Sequence, residues 1–305
     1  MKNLWCEEEF KSFSSDLDLR VYTYEAILHA IIPFKYVDHT RANAVVTLSN
    51  NVNGMEHIQN VFQDHLIVPY IMPGFNLAKL IYEMSKELDW ENCPGIILLN
   101  HGIFTFDNDA KKSYDKMIEA VSKAEEYLQQ HANVIVEKYM PRAMLDTYSL
   151  QNIINEAKGY DVFMKINQSP LALHYASQRG VAKLATRGVL TPEHIIRTKR
   201  VPMVLEDAYI QKAIDKYKEQ YLEYFNEFSS DEICLNPSPN WVVVKNFGIV
   251  TFGKDEKEAN IINDIVEHTM KAVLAGDLLG GYESIGLKES FEMEYWELEQ
   301  AKLKK

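Results

Sequence analysis

The chain has few cysteines, no excess of cations and no long apolar run, and each shortage excludes a class of protein. Its 3 cysteines, Cys6, Cys93 and Cys234, are an odd count, far apart and without a C-x-x-C pair. Neither a disulfide framework nor a cysteine metal site is indicated, and they read as small buried hydrophobes. Asp and Glu outnumber Lys and Arg by 44 to 32, giving a formal net charge of -12. Nucleic acid and anionic membrane need clustered Lys and Arg, so neither is expected as a main partner. No apolar stretch approaches the roughly 20 residues of a membrane-spanning helix. The first residues, MKNLWCEEEF, place acids where a signal peptide needs its apolar core, so a cytoplasmic protein is expected. No G-x-G-x-x-G follows a strand-like run, so a nicotinamide site is not supported.

What is present is an ordinary core-forming composition: 305 residues, 47% of them apolar. That is enough for one large or two medium domains. Apolar patterning predicts a helix over residues 23–32 that stops at Pro33, a strand over 43–48, and a helix through Met55, Ile58, Val61 and Phe62. A second strand is expected over 66–70. A helix capped by Asn76 should follow the break at Pro73-Gly74, and a third strand should span 95–99. After Asp109 a long amphipathic helix carries Tyr114, Met117, Ile118, Val121, Ala124 and Leu128 at 3/4 spacing. Alternating strands and helices make an α/β domain. The final residues, ESFEMEYWELEQAKLKK, read as a helix with acids early and lysines late.

Residues 94–106, PGIILLNHGIFTF, set His101 between an apolar run and Gly102. A short continuous apolar run after Pro-Gly suits a strand buried on both faces, and a polar ring at its end is where α/β proteins place ligands. Asn246-Phe247-Gly248-Ile249-Val250-Thr251-Phe252 echoes Asn100-His101-Gly102-Ile103-Phe104-Thr105-Phe106 at a constant offset of 146, and Asp255 and Lys257 match Asp109 and Lys111. The shared N-x-G-I-x-T-F predicts an internal duplication, with residues 1–159 as the first unit and 160–305 as a degenerate copy. In that copy Phe247 stands where the histidine was, so packing is retained and chemistry is not.

With residues 37–46, VDHTRANAVV, this stretch makes the chain resemble the class II aldolase/adducin family. The likeness is greatest to the aldolase half of bifunctional rhamnulose-1-phosphate aldolase/short-chain dehydrogenases, from about residue 24 to residue 305. The resemblance implies a layered α/β/α fold around a central mixed or antiparallel sheet, internally duplicated here. It also implies a divalent metal, usually zinc, held by an H-x-H pair on a strand and a third histidine before a glycine. Residues i and i+2 of an extended segment face one side, which lets two imidazoles meet one ion that polarises a carbonyl. His39 matches the first ligand position and His101 the third, but the second is Arg41, which has no lone pair to give. Asn43 replaces the family's aspartate.

Glu25 matches the family's catalytic acid/base, Tyr70 its tyrosine in a Pro-Tyr segment, and Thr23 a hydroxyl that binds phosphate. Arg41 offers a fixed positive charge to a substrate or enediolate oxygen. The family's upstream phosphate-binding segment has no match before Glu25, and a separate chain could supply it. The implied activity is a lyase that cleaves or forms a small ketose or ketose phosphate through an enediolate. The alternatives are a catalytically silent, adducin-like binding or assembly protein, or one subunit of a split aldolase. A small sugar or sugar-phosphate substrate and a homo-oligomer with sites between subunits are the implied partners.

Overall fold

Strand β3 (Gly95–Leu98) carries the continuous apolar run, and its residues serve two cores at once. Ile97 packs with Val45, Leu48, Ile58 and Ala120, whereas Ile96 and Leu98 pack with Leu28, Leu77, Ile81 and Phe104. That is the alternation of a strand covered on both faces. The computed structural model describes residues 28–297. Around β3 are β1 (Tyr36–Thr40), β2 (Leu66–Val68) and β4 (Gly102–Asp107), in the order β1-β4-β3-β2. Only β2 and β3 run parallel. The helices of this half are α1 (Asn43–Ser49), α2 (Gly54–Val61), α3 (Phe75–Met84) and α4 (Ala110–His131). Residues 28–31 are helical, just before Pro33.

The second half repeats this plan. Its strands β5 (Phe163–Asn167), β6 (Met203–Leu205), β7 (Trp241–Val244) and β8 (Gly248–Gly253) form a sheet ordered β5-β8-β7-β6, with only β6 and β7 parallel. Its helices are α5 (Thr147–Lys158), α6 (Pro170–Ala176), α7 (Val181–Ala185), α8 (Ile195–Thr198), α9 (Ile210–Phe228), α10 (Glu256–Leu278) and α11 (Leu287–Glu294), with a 3-10 turn at Pro192–His194. Equivalent details recur. Asn100 and Asn246 both adopt φ 59 in the hairpin turns. The Thr105 hydroxyl donates to the Ser113 carbonyl, and the Thr251 hydroxyl to the Ala259 carbonyl. Asp109 and Asp255 each cap the long helix that follows. The mixed α/β architecture and its duplication are therefore as expected from the sequence. Upstream of Gly159, Leu150 and Ile154 pack into the core of the second sheet with Val242, Val250 and Phe252.

The structure corrects several local readings. Residues 43–48 are helical, not a strand: Ala44 through Ser49 are all buried in α1. Val46 packs into the second half's core, while Val45 and Leu48 pack into the first. A helix apolar all round shows no 3.6-residue stripe and reads like a buried strand. The strand lies just before it, as β1, and β4 is a further strand that the apolar pattern did not reveal. Gly74, not Asn76, occupies the cap position of α3. At the end of β3 the residue with positive φ is Asn100, whereas Gly102 is needed for close approach, because a Cβ there would collide with the Thr40 carbonyl oxygen. Cys93 is buried as expected, but Cys234 is only partly so. Among the described residues, no helix is long and apolar enough to cross a membrane.

The β1–β4 contact at Gly102 gives a direct test. Gly102→Ala should cost about 1–3 kcal/mol, as overpacking does. Asn100→Gly suits the same φ but loses the side-chain bond to Asn50 Oδ1 at 2.9 Å, and should cost about 1 kcal/mol. Urea unfolding midpoints of the two variants check both values.

Candidate functional site

His39 and Arg41 lie at and just beyond the end of edge strand β1, two residues apart. Register pairs His39 with Phe104, and its ring stacks on that ring at 4.0 Å between centroids. Its other face meets His101, which the β3–β4 turn brings in, at 5.3 Å and 23°. His39 Nδ1 lies 3.0 Å from the Ile103 carbonyl oxygen. A carbonyl only accepts, so Nδ1 carries the proton and Nε2 the lone pair. Burial, followed by the charges of His101 and Arg41, holds the His39 pKa down at about 3, so the ring is neutral at ordinary pH.

The fourth residue comes from the other half. Pro192 starts the 3-10 turn and sends the next side chain, Glu193, into the crevice. Arg41 Nη2 donates to Glu193 Oε1 at 2.7 Å, and His101 Nδ1 stands 3.8 Å from the same oxygen. Burial would raise the Glu193 carboxyl, but His101 and Arg41 outweigh it and hold the pKa at about 2. Its second oxygen, Oε2, is buried without a hydrogen-bond partner among the described residues, and so is the Tyr70 hydroxyl. Burial pushes the Tyr70 pKa up, and the carboxylates of Glu193, Glu289 and Glu292 push it further, so Tyr70 stays protonated.

Thus His39 and Arg41 meet His101, some 60 positions on in the chain, and the field of Glu193 reaches Tyr70. Glu25 and Thr23 lie outside the described residues. Asn43 is exposed at the start of α1 and does not back the site. Sequence reasoning missed Glu193. The signal available was an acid directly after Thr191-Pro192, followed by a histidine, but nothing in that stretch places it opposite Arg41. In the second half the register puts Ile166 where His39 stands, and Gln168 follows where Arg41 does. Gln168 Nε2 donates to the Phe247 carbonyl. These three side chains, Ile166, Gln168 and Phe247, offer no titratable group.

The donor set bears on a metal. Two imidazoles at 5.3 Å are close enough to share an ion. A catalytic zinc, however, takes three protein donors. Among the described residues, no three His, Cys, Asp or Glu are arranged to hold one. The position of the second imidazole is filled by a guanidinium, and the nearest carboxylate is engaged by it. The described residues do not fit a resident metal.

Two family models divide the chain much as its two halves do. The family model for the class II aldolase and adducin N-terminal domain matches residues 15–128, and that for the aldolase class II second domain matches residues 142–303. Over 303 residues the chain is 24% identical to a protein of Bacillus subtilis (strain 168) named uncharacterized oxidoreductase YuxG, with 92% of this chain and 44% of the relative aligned. The chain thus spans less than half of that relative. A solved structure of the N-terminal class II aldolase domain of a conserved protein from Thermoplasma acidophilum is 36% identical. It covers 34% of this chain and 47% of its own, with a TM-score of 0.31.

Two measurements test the electrostatics. The folded-state Glu193 carboxyl lies below its free value of 4.5, so the unfolded chain binds the extra proton as pH falls. The pair therefore stabilises fully above pH 4.5 and loses that contribution as pH drops towards 2. Glu193→Gln should cost about 2 kcal/mol at pH 7, after allowance for solvent at Arg41, and should flatten this acid limb in denaturation curves. Separately, Arg41→His supplies a third imidazole. Calorimetric titration should show zinc binding at least about a hundredfold tighter than in the parent, the scale on which single changes around a metal act. Equal, tight binding by both would mean that Arg41 displaces nothing.

Proposed function

Since the chain belongs to the class II aldolase and adducin family, we propose that it is a carbon–carbon lyase of the retro-aldol type, acting on a small ketose or ketose phosphate. The observation that carries this reading is the convergence of His39, Arg41, His101 and Glu193 where the two halves meet, with Tyr70 in the same field.

In the cleavage direction the β-hydroxyl of the ketose gives up its proton and the carbon–carbon bond breaks. An aldehyde leaves, and the bonding pair moves onto the former carbonyl oxygen as an enediolate. Protonation at carbon then restores a ketone. A divalent metal is the usual stabiliser of this charge, but the described donors do not fit one. The guanidinium of Arg41 supplies a fixed positive charge instead, in a partly buried setting where a charge acts strongly. Its bond to Glu193 Oε1 holds the guanidinium in place. Tyr70, held protonated, is suited to donate to the aldehyde oxygen in the condensation direction. Neutral His39, pinned by the Ile103 carbonyl and by Phe104, fixes the position of His101. The resemblance gives Glu25 the proton on the enediolate carbon.

A second reading, a catalytically silent binding or assembly protein, is favoured by one observation: an arginine–glutamate pair stands where the family places a metal ligand. Turnover decides between the two. With a panel of ketoses and ketose phosphates, aldehyde release should be measurable by coupled reduction. Arg41→Ala should lower kcat/KM by about 100- to 1000-fold, the scale of a lost oxyanion donor, and Arg41→Lys should recover part of it. Absence of turnover across the panel, with and without added divalent metal, would leave the silent reading.

A further inference from the structure

Arg41 and Glu193 meet as a long side chain on a strand end and a short one on a fixed turn. The backbone at Arg41 is set by the close approach of Gly102, where a Cβ would collide with the Thr40 carbonyl oxygen and press on the Arg41 Cα. Beyond that point the arginine side chain has several torsions, and it is 35% exposed. The strand therefore fixes where the side chain starts but not where its guanidinium points, and a long side chain without a partner spreads over many rotamers. Glu193 is held from both sides. Leu190 and Ile195 flank it and are buried, and Ile195 packs with Val189 and Met293. The Val189 carbonyl accepts from the Tyr282 and Ser284 hydroxyls, and the Leu190 carbonyl from the Asn50 amide. Pro192 opens the 3-10 turn, and the His194 N–H closes it on the Thr191 carbonyl.

From this fixed base one oxygen, Oε1, accepts from Arg41 Nη2 at 2.7 Å and stands 3.8 Å from His101 Nδ1. An atom of the second half thus sets the spacing between two side chains of the first, one at the end of β1 and one in the β3–β4 turn. A carboxylate could serve there in either of two ways. As a counter-charge it needs only to be near the guanidinium, because Coulomb attraction falls off slowly with distance. As a positioning group it needs reach, because a hydrogen bond weakens steeply once its distance and angle are lost. The 2.7 Å bond from a turn anchored on both sides fits the second way.

We propose that Glu193 is a positioning residue: through the reach of its side chain it aims the Arg41 guanidinium beside His101, so that the second half of the molecule presents the first half's cation to a pair of vicinal anionic oxygens such as those of an enediolate. A cation aimed before the charge develops costs no reorganisation when it does. The catalytic use of that cation rests on the retro-aldol reading, whereas the aiming rests on the contacts of Glu193 with Arg41 and His101. Binding, measured without turnover, keeps the two apart.

The experiment is calorimetric titration of the full chain with oxalate, a planar dianion with vicinal oxygens, in the presence of EDTA so that no adventitious metal carries the binding. The parent should bind oxalate, and Arg41→Ala should bind it at least about tenfold more weakly, the scale of a lost charge-assisted hydrogen bond. Glu193→Asp keeps the charge but withdraws the oxygen by one methylene, and it should also weaken binding about tenfold. Glu193→Gln keeps the reach and an acceptor but removes the charge. It should bind at least as tightly as the parent, because a like charge no longer faces the dianion. A merely structural role would not move the two variants in opposite directions. A second measurement needs no change at Glu193: in the parent, the two Arg41 Nη signals, assigned by their loss in Arg41→Ala, should be resolved in nitrogen-15 NMR by hindered rotation of the guanidinium. Asp binding as tightly as the parent, Gln as weakly as Asp, no oxalate binding by the parent, or averaged Nη signals would each overturn the proposal. On any ketose that is cleaved, Glu193→Asp should lower kcat about a hundredfold, the scale of a misplacement of about 1 Å, with KM little changed. If oxalate binding follows the expected order but no aldehyde is released, the retro-aldol reading fails and the aiming of Arg41 stands.

Discussion

Helix α1 is held between two cores, and the site exists because of how it is held. Val45 and Leu48 pack into the first half and Val46 into the second, so neither half can move along this helix without opening a cavity. At its end Asn50 donates to the Leu190 carbonyl and to the Tyr282 hydroxyl, which in turn donates to the Val189 carbonyl. Asn51 donates to the Gly276 carbonyl. These are buried polar bonds whose loss would leave groups unsatisfied. They pin Val189 and Leu190, and the 3-10 turn begins two residues later. The Glu193 carboxylate reaches Arg41 as a consequence of that anchoring.

Duplication then accounts for the asymmetry of the molecule. The two sheets share their order, their single parallel pair and their hairpin turns, so one packing solution is used twice. The two copies differ at the candidate site. His39 and His101 have Ile166 and Phe247 as counterparts, and Arg41 has Gln168. Into the candidate site the second half sends Glu193, from a connecting turn rather than from its sheet. Loops carry such additions easily, because their side chains are placed without disturbing a ladder of backbone bonds.

Electrostatic balance is the other organising feature. A half-buried guanidinium beside two imidazoles would be costly alone, and Glu193 neutralises it at 2.7 Å. The charges of His101 and Arg41 keep the carboxylate ionised, and burial, followed by those same charges, keeps the imidazole of His39 neutral. The result is a site with charges fixed in place and with two oxygen atoms, Glu193 Oε2 and the Tyr70 hydroxyl, buried without a hydrogen-bond partner among the described residues.

The sequence by itself determined the fold class, the duplication and the nearness of His39, Arg41 and His101. The repeat N-x-G-I-x-T-F and the apolar run at β3 are local patterns, and they dictate local structure wherever they occur. The sequence also announced that Arg41 cannot be a metal ligand, since that follows from the residue's chemistry alone. Tertiary structure decided the rest. It made residues 43–48 a helix, because burial on every side removes the periodicity that would distinguish helix from strand. It placed Gly102 against Thr40, a close approach between strands that no single stretch encodes. It brought Glu193 to Arg41 across 152 positions of chain, an encounter set by how α1 and its polar anchors seat one half on the other. Local propensities act over a few residues, whereas a buried ion pair depends on where two rigid bodies come to rest.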